Sequence, residues 1–231
     1  MVDWSEQRRF ARHPIQLPIL HDAASPGSTE KRAGWTRNLS EGGACLELDE
    51  HVPVPSLLHL HLQTDHGAIE VDAQVVWEME DRESGEGEAG VLHGVAFTHL
   101  SPEQLQALRG LLRSHGQDWR DGLRLPLDLP VTCEPEGATA GSMQGRTGDV
   151  SRGGLLLRLS HALPPGTKLK LALDRPKGRV SAEGEIVWAE SVKNEASGPV
   201  RHGVRFTALG WSRSLSLALL MTESAQVSTP N

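Results

Sequence analysis

Leu58, Leu60 and Leu62 alternate with His59 and His61, and Val71, Ala73 and Val75 alternate with Asp72 and Gln74. A period of two is that of a strand with one face in a core. Read this way, residues 1–115 predict six strands: Ile15 to Leu20, Ala33 to Asn38, Ala44 to Asp49, Leu57 to Gln63, Ile69 to Glu80 and Val91 to Thr98. Asp81 to Gly90, rich in Glu and Gly, reads as a solvated hairpin tip. The period then changes: Leu105, Leu108, Leu111 and Leu112 have helical spacing behind Ser101-Pro102-Glu103-Gln104, which supplies an N-cap, Pro at the first helical position and acid in the first turn. A helix to about Arg113 is expected.

The same order returns over the second half. Strands are expected at Leu127 to Cys133, Met143 to Asp149, Leu155 to Ser160, Lys168 to Leu173, Val180 to Glu190 and Val200 to Thr207, then a Leu-rich helix from Ser212 to Thr222. Trp77 and Trp188 are 111 residues apart, whereas His93 and His202 are 109 apart, which puts a two-residue drift in the hairpin tip. The expected fold is therefore all-β with peripheral helices: two tandem six-stranded antiparallel β-barrels, each followed by a C-terminal α-helix. The domains are expected at 1–115 and 116–231, with an arm and linker over 114–126 and a disordered tail over 223–231.

Composition supports short strands joined by many turns: 24 Gly and 14 Pro accompany only 38% apolar residues and no Tyr. Cys45 and Cys133 occupy unrelated repeat positions and lack C-x-x-C spacing, so neither a disulfide framework nor a metal knuckle is expected. No signal peptide or membrane span is legible, and a soluble, cytoplasmic protein without membrane insertion is the expectation. Residues 1–115 hold 9 Lys and Arg against 18 Asp and Glu, and residues 116–231 hold 14 against 12. An acidic first half opposes binding to a DNA or RNA polymer, which requires a broad basic field.

The chemistry-bearing residues are also doubled. Asn38-Leu39-Ser40-Glu41-Gly42-Gly43 and Asp149-Val150-Ser151-Arg152-Gly153-Gly154 share the form [DN]-x-S-x-x-G at a step of 111. Ahead of each lies R-x-x-x-R, in Arg8-Arg9-Phe10-Ala11-Arg12 and Arg120-Asp121-Gly122-Leu123-Arg124, at a step of 112. An Arg fork can bind guanine O6 and N7 in a bidentate way, pair with phosphate or stack on a purine. Asn38 or Asp149 can accept from a guanine donor edge. Ser40 or Ser151 can bond a polar edge or cap the turn, and Gly43 or Gly154 permits a conformation or close approach that a Cβ would block.

In this order and distance the motifs resemble the PilZ family, bacterial receptors for the second messenger cyclic di-GMP. Val75-Val76-Trp77 with Gly94-Val95-Ala96-Phe97, and Ile186-Val187-Trp188 with Gly203-Val204-Arg205-Phe206, resemble that family's later strands. The resemblance implies a tandem receptor with cyclic di-GMP as ligand and no further cofactor. It implies ligand contacts from Arg8, Arg9, Arg12, Asn38, Ser40 and Gly43 in the first copy. In the second copy they come from Arg120, Arg124, Asp149, Ser151 and Gly154. It also implies an unidentified protein effector in motility, exopolysaccharide or biofilm control. The alternative is an adaptor module with the same barrels and no ligand. Trp119 precedes the second arm where Gln7 precedes the first, and in the family this position bears on whether one ligand or a stacked pair is bound, so stoichiometry stays open, as does oligomeric state.

No nucleophile elbow, P-loop, H-E-x-x-H or kinase-like set occurs, so no enzyme is expected. His59 and His61 share a strand face with His66 nearby, but the second copy has no equivalent, and no metal site is assigned. His93 and His202 fit strand residues beside Gly as well as they fit ligand contacts.

Overall fold

The computed structural model describes residues 10–23, 31–80, 90–115, 123–137, 141–175, 178–190 and 198–227. The first set of elements is β1 (Pro18–Ala23), β2 (Arg32–Ser40), β3 (Gly43–Leu48), β4 (Leu57–Thr64), β5 (Gly67–Glu80), β6 (Val91–His99) and α1 (Pro102–His115). The second is β7 (Pro130–Pro135), β8 (Met143–Ser151), β9 (Gly154–Leu159), β10 (Lys168–Arg175), β11 (Gly178–Ala189), β12 (Val200–Ala208) and α2 (Trp211–Val227). Each set closes into an antiparallel barrel, in the orders β1-β2-β3-β6-β5-β4 and β7-β8-β9-β12-β11-β10. The chain divides into two units, Met1–Leu123 and Arg124–Asn231. The expected assignment of residues 116–122 to the second domain is a proposal, since that segment lies outside the described residues, as does the expected hairpin tip over 81–89.

Alternation decides what each barrel encloses. Leu58, Leu60 and Leu62 on β4 and Leu169, Leu171 and Leu173 on β10 are all buried, as are Leu46 and Leu48 on β3 and Leu155, Leu157 and Leu159 on β9. Full burial of each such side chain contributes about 1.5–3 kcal/mol. On α1, Leu108, Leu111 and Leu112 are buried, and the helix packs against β5. Its start is a reciprocal capping box, in which the Gln104 N–H donates to Ser101 Oγ at 3.2 Å and the Ser101 N–H donates to Gln104 Oε1 at 2.7 Å. α2 packs against β11.

Two expectations need correction. Ile15 to Leu17 and Leu127 to Leu129 are not ladder residues, and β1 and β7 begin only at Pro18 and Pro130. The reason is a buried threonine in each barrel. Leu17 N–H donates to Thr36 Oγ1 at 2.8 Å, and that hydroxyl donates to Ile15 O at 2.7 Å. Leu129 N–H donates likewise to Thr147 Oγ1 at 2.9 Å, and Thr147 Oγ1 donates to Leu127 O. The threonine hydroxyl thus serves Leu17 N–H and Ile15 O, or Leu129 N–H and Leu127 O, while Leu17 O and Leu129 O keep main-chain bonds from Thr36 and Thr147. Second, the tail expected over 223–231 is helical from 223 to 227, because Glu223-Ser224-Ala225-Gln226 contains no helix breaker; residues 228–231 lie outside the described ones. The two-residue drift lies beyond the equivalent rungs Glu78–His93 and Ala189–His202, and the tips themselves, 81–89 and 191–197, lie outside the described residues.

Trp77 and Trp188 follow bulges at Val76 and Val187, and each indole lies across the glycine opposite. A Cβ on Gly94 or Gly203 would come within 2.0 Å of the indole nitrogen. Next to these glycines, His93 and His202 are fully buried. His93 Nε2 accepts from Val52 N–H at 3.0 Å and His202 Nε2 accepts from Leu163 N–H at 3.0 Å, each tying a connecting loop to its barrel.

Burial lowers the pKa of His21, His61 and His93 in the first unit and of His202 in the second. His21 is pushed down to about 4, with burial outweighing the attraction of Asp49. The unfolded chain, with His near 6.5, then binds more protons than the folded one between about pH 6.5 and 4, so stability is present above that window and is lost as pH falls through it. His21 alone accounts for about 3 kcal/mol. Urea unfolding at pH 7.5 and 4.5 should show the first unit losing more stability than the second, and His21→Gln should remove most of that excess.

Candidate ligand-binding site

Each barrel brings the two motifs together by the same local device. β2 and β3 meet with a register shift between Thr36 and Asn38, and β8 and β9 with one between Thr147 and Asp149. The extra residue, Arg37 or Gly148, is a bulge that re-aims the side chain after it. The threonine before the bulge fastens the arm, and the residue after the bulge meets that arm. Main-chain bonds complete the attachment: His13 and Leu39 exchange bonds of 2.8 and 2.9 Å, and Leu125 and Val150 exchange bonds of 2.8 and 2.9 Å. Thr36 and Thr147 escaped the sequence reading, although their step of 111 and the spacing T-x-[DN] were there to be read.

As a result, the last arginine of each arm lies on the motif's first residue. Arg12 Nη1 donates to Asn38 Oδ1 at 3.3 Å, and Arg124 Nη1 pairs with Asp149 Oδ1 at 2.7 Å. Both arginines are exposed, whereas Asn38 and Asp149 are half-buried. Arg8, Arg9 and Arg120 lie outside the described residues. Each contact uses one N–H of a guanidinium that carries five.

The hairpins joining β2 to β3 and β8 to β9 are two-residue turns. Ser40 Oγ donates to Gly43 O at 3.0 Å and Ser151 Oγ donates to Gly154 O at 3.1 Å, so both hydroxyls, buried, brace the turn. The turn is held to the neighbouring strand by Phe97 N–H on Gly42 O at 3.0 Å and by Phe206 N–H on Gly153 O at 2.9 Å. The third motif residue is required by close approach: a Cβ on Gly43 would lie 2.1 Å from Val95 O, and one on Gly154 would lie 2.1 Å from Val204 O. Neither glycine has positive φ. The motif's Ser and Gly therefore shape the hairpin, and its Asn or Asp faces the arm.

The two copies differ in charge at the turn. In the first, Glu41 pairs with Arg109 of α1 at 2.8 Å, beside a cavity of about 550 Å³ lined by Phe10, Ala11, His13, Glu41, Arg109, Leu112 and Arg113. The Phe10 ring covers Gly42, where a Cβ would meet it at 2.8 Å. In the second copy, Arg152 holds the position of Glu41, with its guanidinium carbon 6.0 Å from the centroid of Trp211 on α2. Arg109, Arg113 and Arg152 were also missed. The helix spacing of the first two and the Glu41/Arg152 inequality were the available signals.

Among the described residues no helix is long and apolar enough to cross a membrane. No curated protein sequence matches the chain. Solved structures similar to it include PlzA of Borreliella burgdorferi in complex with c-di-GMP, at 14% identity over 96% of this chain and 97% of that one, TM-score 0.41. They also include the PilZ domain of YcgR from Escherichia coli with c-di-GMP, at 16% identity over 47% of this chain and 90% of that one, TM-score 0.40. The Bacillus subtilis inhibitor of motility MotI/DgrA is similar at 10% identity over 93% and 98%, TM-score 0.40. The PilZ domain model itself matches twice, over residues 6–114 and 117–210. With one match on each barrel, the chain belongs to the PilZ domain family, in two tandem copies.

Proposed function

We propose that the chain is a cyclic di-GMP receptor, with Arg8, Arg9, Arg12, Asn38, Ser40 and Gly43 forming one site and Arg120, Arg124, Asp149, Ser151 and Gly154 the other. The supporting observation is the contact made twice by independent stretches of sequence, Arg12 on Asn38 and Arg124 on Asp149. It sets guanidinium donors beside an acceptor side chain, and these are the two functions a guanine edge and a phosphate require. Ser and Gly act by holding the hairpin that presents that acceptor.

The second site is the stronger of the two. Asp149 offers a charged acceptor where Asn38 offers one carbonyl oxygen, and Arg152 brings positive charge to a turn where the first copy has Glu41. A dianion gains from Arg152, whereas in the first copy the charge of Glu41 is taken up by Arg109. Arg120 and Arg124 also belong to the stretch joining α1 to the second barrel. Contact with ligand through both fixes that stretch and alters the arrangement of the two domains, which is the signal passed to a protein effector.

Calorimetry of the intact chain with cyclic di-GMP, GTP and cyclic GMP tests the reading. Saturable binding of the first, at least about tenfold tighter than the other two, is expected; its absence in a folded sample overturns the receptor. Small-angle scattering curves that superpose with and without saturating ligand would remove the rearrangement alone.

A further inference from the structure

Because Leu58, Leu60 and Leu62 fill the first barrel, His59 and His61 lie on the opposite face of β4. The register places Asp72 of β5 across from His59 and Glu70 across from His61. His61 Nδ1 is 3.1 Å from Glu70 Oε1. Two ligands that each sit 2.0–2.1 Å from one tetrahedral ion are separated by roughly 3.3 Å, so this pair already has ligand spacing. One ligating atom from each of His59, His61 and Glu70 can be chosen such that all lie within 4.8 Å of one another.

The surroundings suit a metal. Asp72 Oδ1 is 2.8 Å from His59 Nδ1, and a carboxylate on one imidazole nitrogen directs the lone pair to the other. His66, grouped with these histidines in the sequence, has a side chain 92% exposed and pairs with Asp65 instead.

The second barrel shows that the fold does not require this set. Its equivalent register pairs Lys170 with Glu183 and Ala172 with Ser181 around the same buried Leu169, Leu171 and Leu173. The histidines are particular to the first copy.

We infer that the outer face of β4 and β5 holds a divalent transition-metal site, with His59, His61 and Glu70 as ligands and Asp72 orienting His59. Two imidazoles and a carboxylate select zinc, cobalt or nickel over calcium and magnesium, and leave a position open for water or a further ligand.

Untagged full-length protein titrated with zinc chloride at pH 7.5, without any dinucleotide, should bind one ion per chain at this site. His59→Ala and Glu70→Gln should each weaken that binding at least about tenfold, and Asp72→Asn by about 10- to 100-fold. His161→Ala, an exposed residue of the second unit, should leave it unchanged. The exposed Glu70 and Asp72 variants, checked by circular dichroism, keep the result interpretable if His59→Ala does not fold. Lack of saturable zinc binding, or binding by Glu70→Gln and Asp72→Asn equal to the parent, overturns the site. Neither outcome bears on the nucleotide reading.

Discussion

On the proposed reading, Arg124→Ala should weaken cyclic di-GMP binding by about 1–3 kcal/mol, or roughly 5- to 150-fold. Stability hardly changes. The Arg124 and Asp149 side chains are 46% and 29% exposed, and a pair of that exposure is worth up to about 1 kcal/mol before screening by salt reduces it further. The anchoring bonds between Leu125 and Val150 are main-chain bonds and survive the change. Arg124→Lys separates charge from shape: it retains attraction to phosphate but loses the planar fork, so it should recover only part of the affinity. Arg12→Ala should have a smaller effect, because its partner is neutral and Glu41 stands at the neighbouring turn. Titration calorimetry at fixed salt ranks the variants, and an Arg124→Ala protein that binds like the parent would sink the assignment of the second arm.

Gly154→Ala has the opposite profile, a large loss of stability from one added methyl group. Its Cβ would lie 2.1 Å from Val204 O and 3.1 Å from the carbonyl carbon, both backbone atoms in the β9–β12 ladder. Relief requires the strands to part where Gly154 pairs with Arg205 and Ser151 pairs with Gly154. Backbone displacement of this kind costs roughly 3–5 kcal/mol, a large share of the about 5–15 kcal/mol available to a domain. The urea midpoint of the second unit should fall sharply. Gly110→Ala on α1 is the comparison: nothing lies within 4 Å of the added carbon, so helix propensity dominates and the first unit gains about 0.5–1 kcal/mol. An unchanged midpoint in Gly154→Ala would show that the hairpin relaxes freely.

The strands were legible because Leu58-x-Leu60-x-Leu62 and its relatives alternate cleanly, and α1 was legible because Ser101, Pro102 and Gln104 mark its start. What escaped depends on partners distant in sequence. Nothing near Thr36 announces that its hydroxyl will satisfy Leu17 and Ile15, because that follows only once the barrel closes. Glu70 joins His61 through the β4–β5 register, and a one-residue slip would turn it to the other face. Arg109 reaches Glu41 across 68 positions. Of the motif residues, Ser40 and Ser151 were read with two roles left open, and the hydroxyl of each braces its own turn. Conformational freedom and close approach were both open for Gly43 and Gly154, and the neighbouring carbonyls select close approach.

Two homologous domains joined in one chain face a hazard during synthesis, since a strand of one can substitute for its counterpart in the other. Barrel closure and the bulges bear on this hazard. Once β1 pairs with β4, or β7 with β10, the ladder has no open end to accept a foreign strand. Before that, an exchanged β2 would set Trp35, fully buried where it stands, in the place of the exposed Arg146, and β8 would make the reverse error. The copies share a backbone plan yet differ sharply in side-chain bulk and charge at this position, which disfavours exchange between the two halves of the chain.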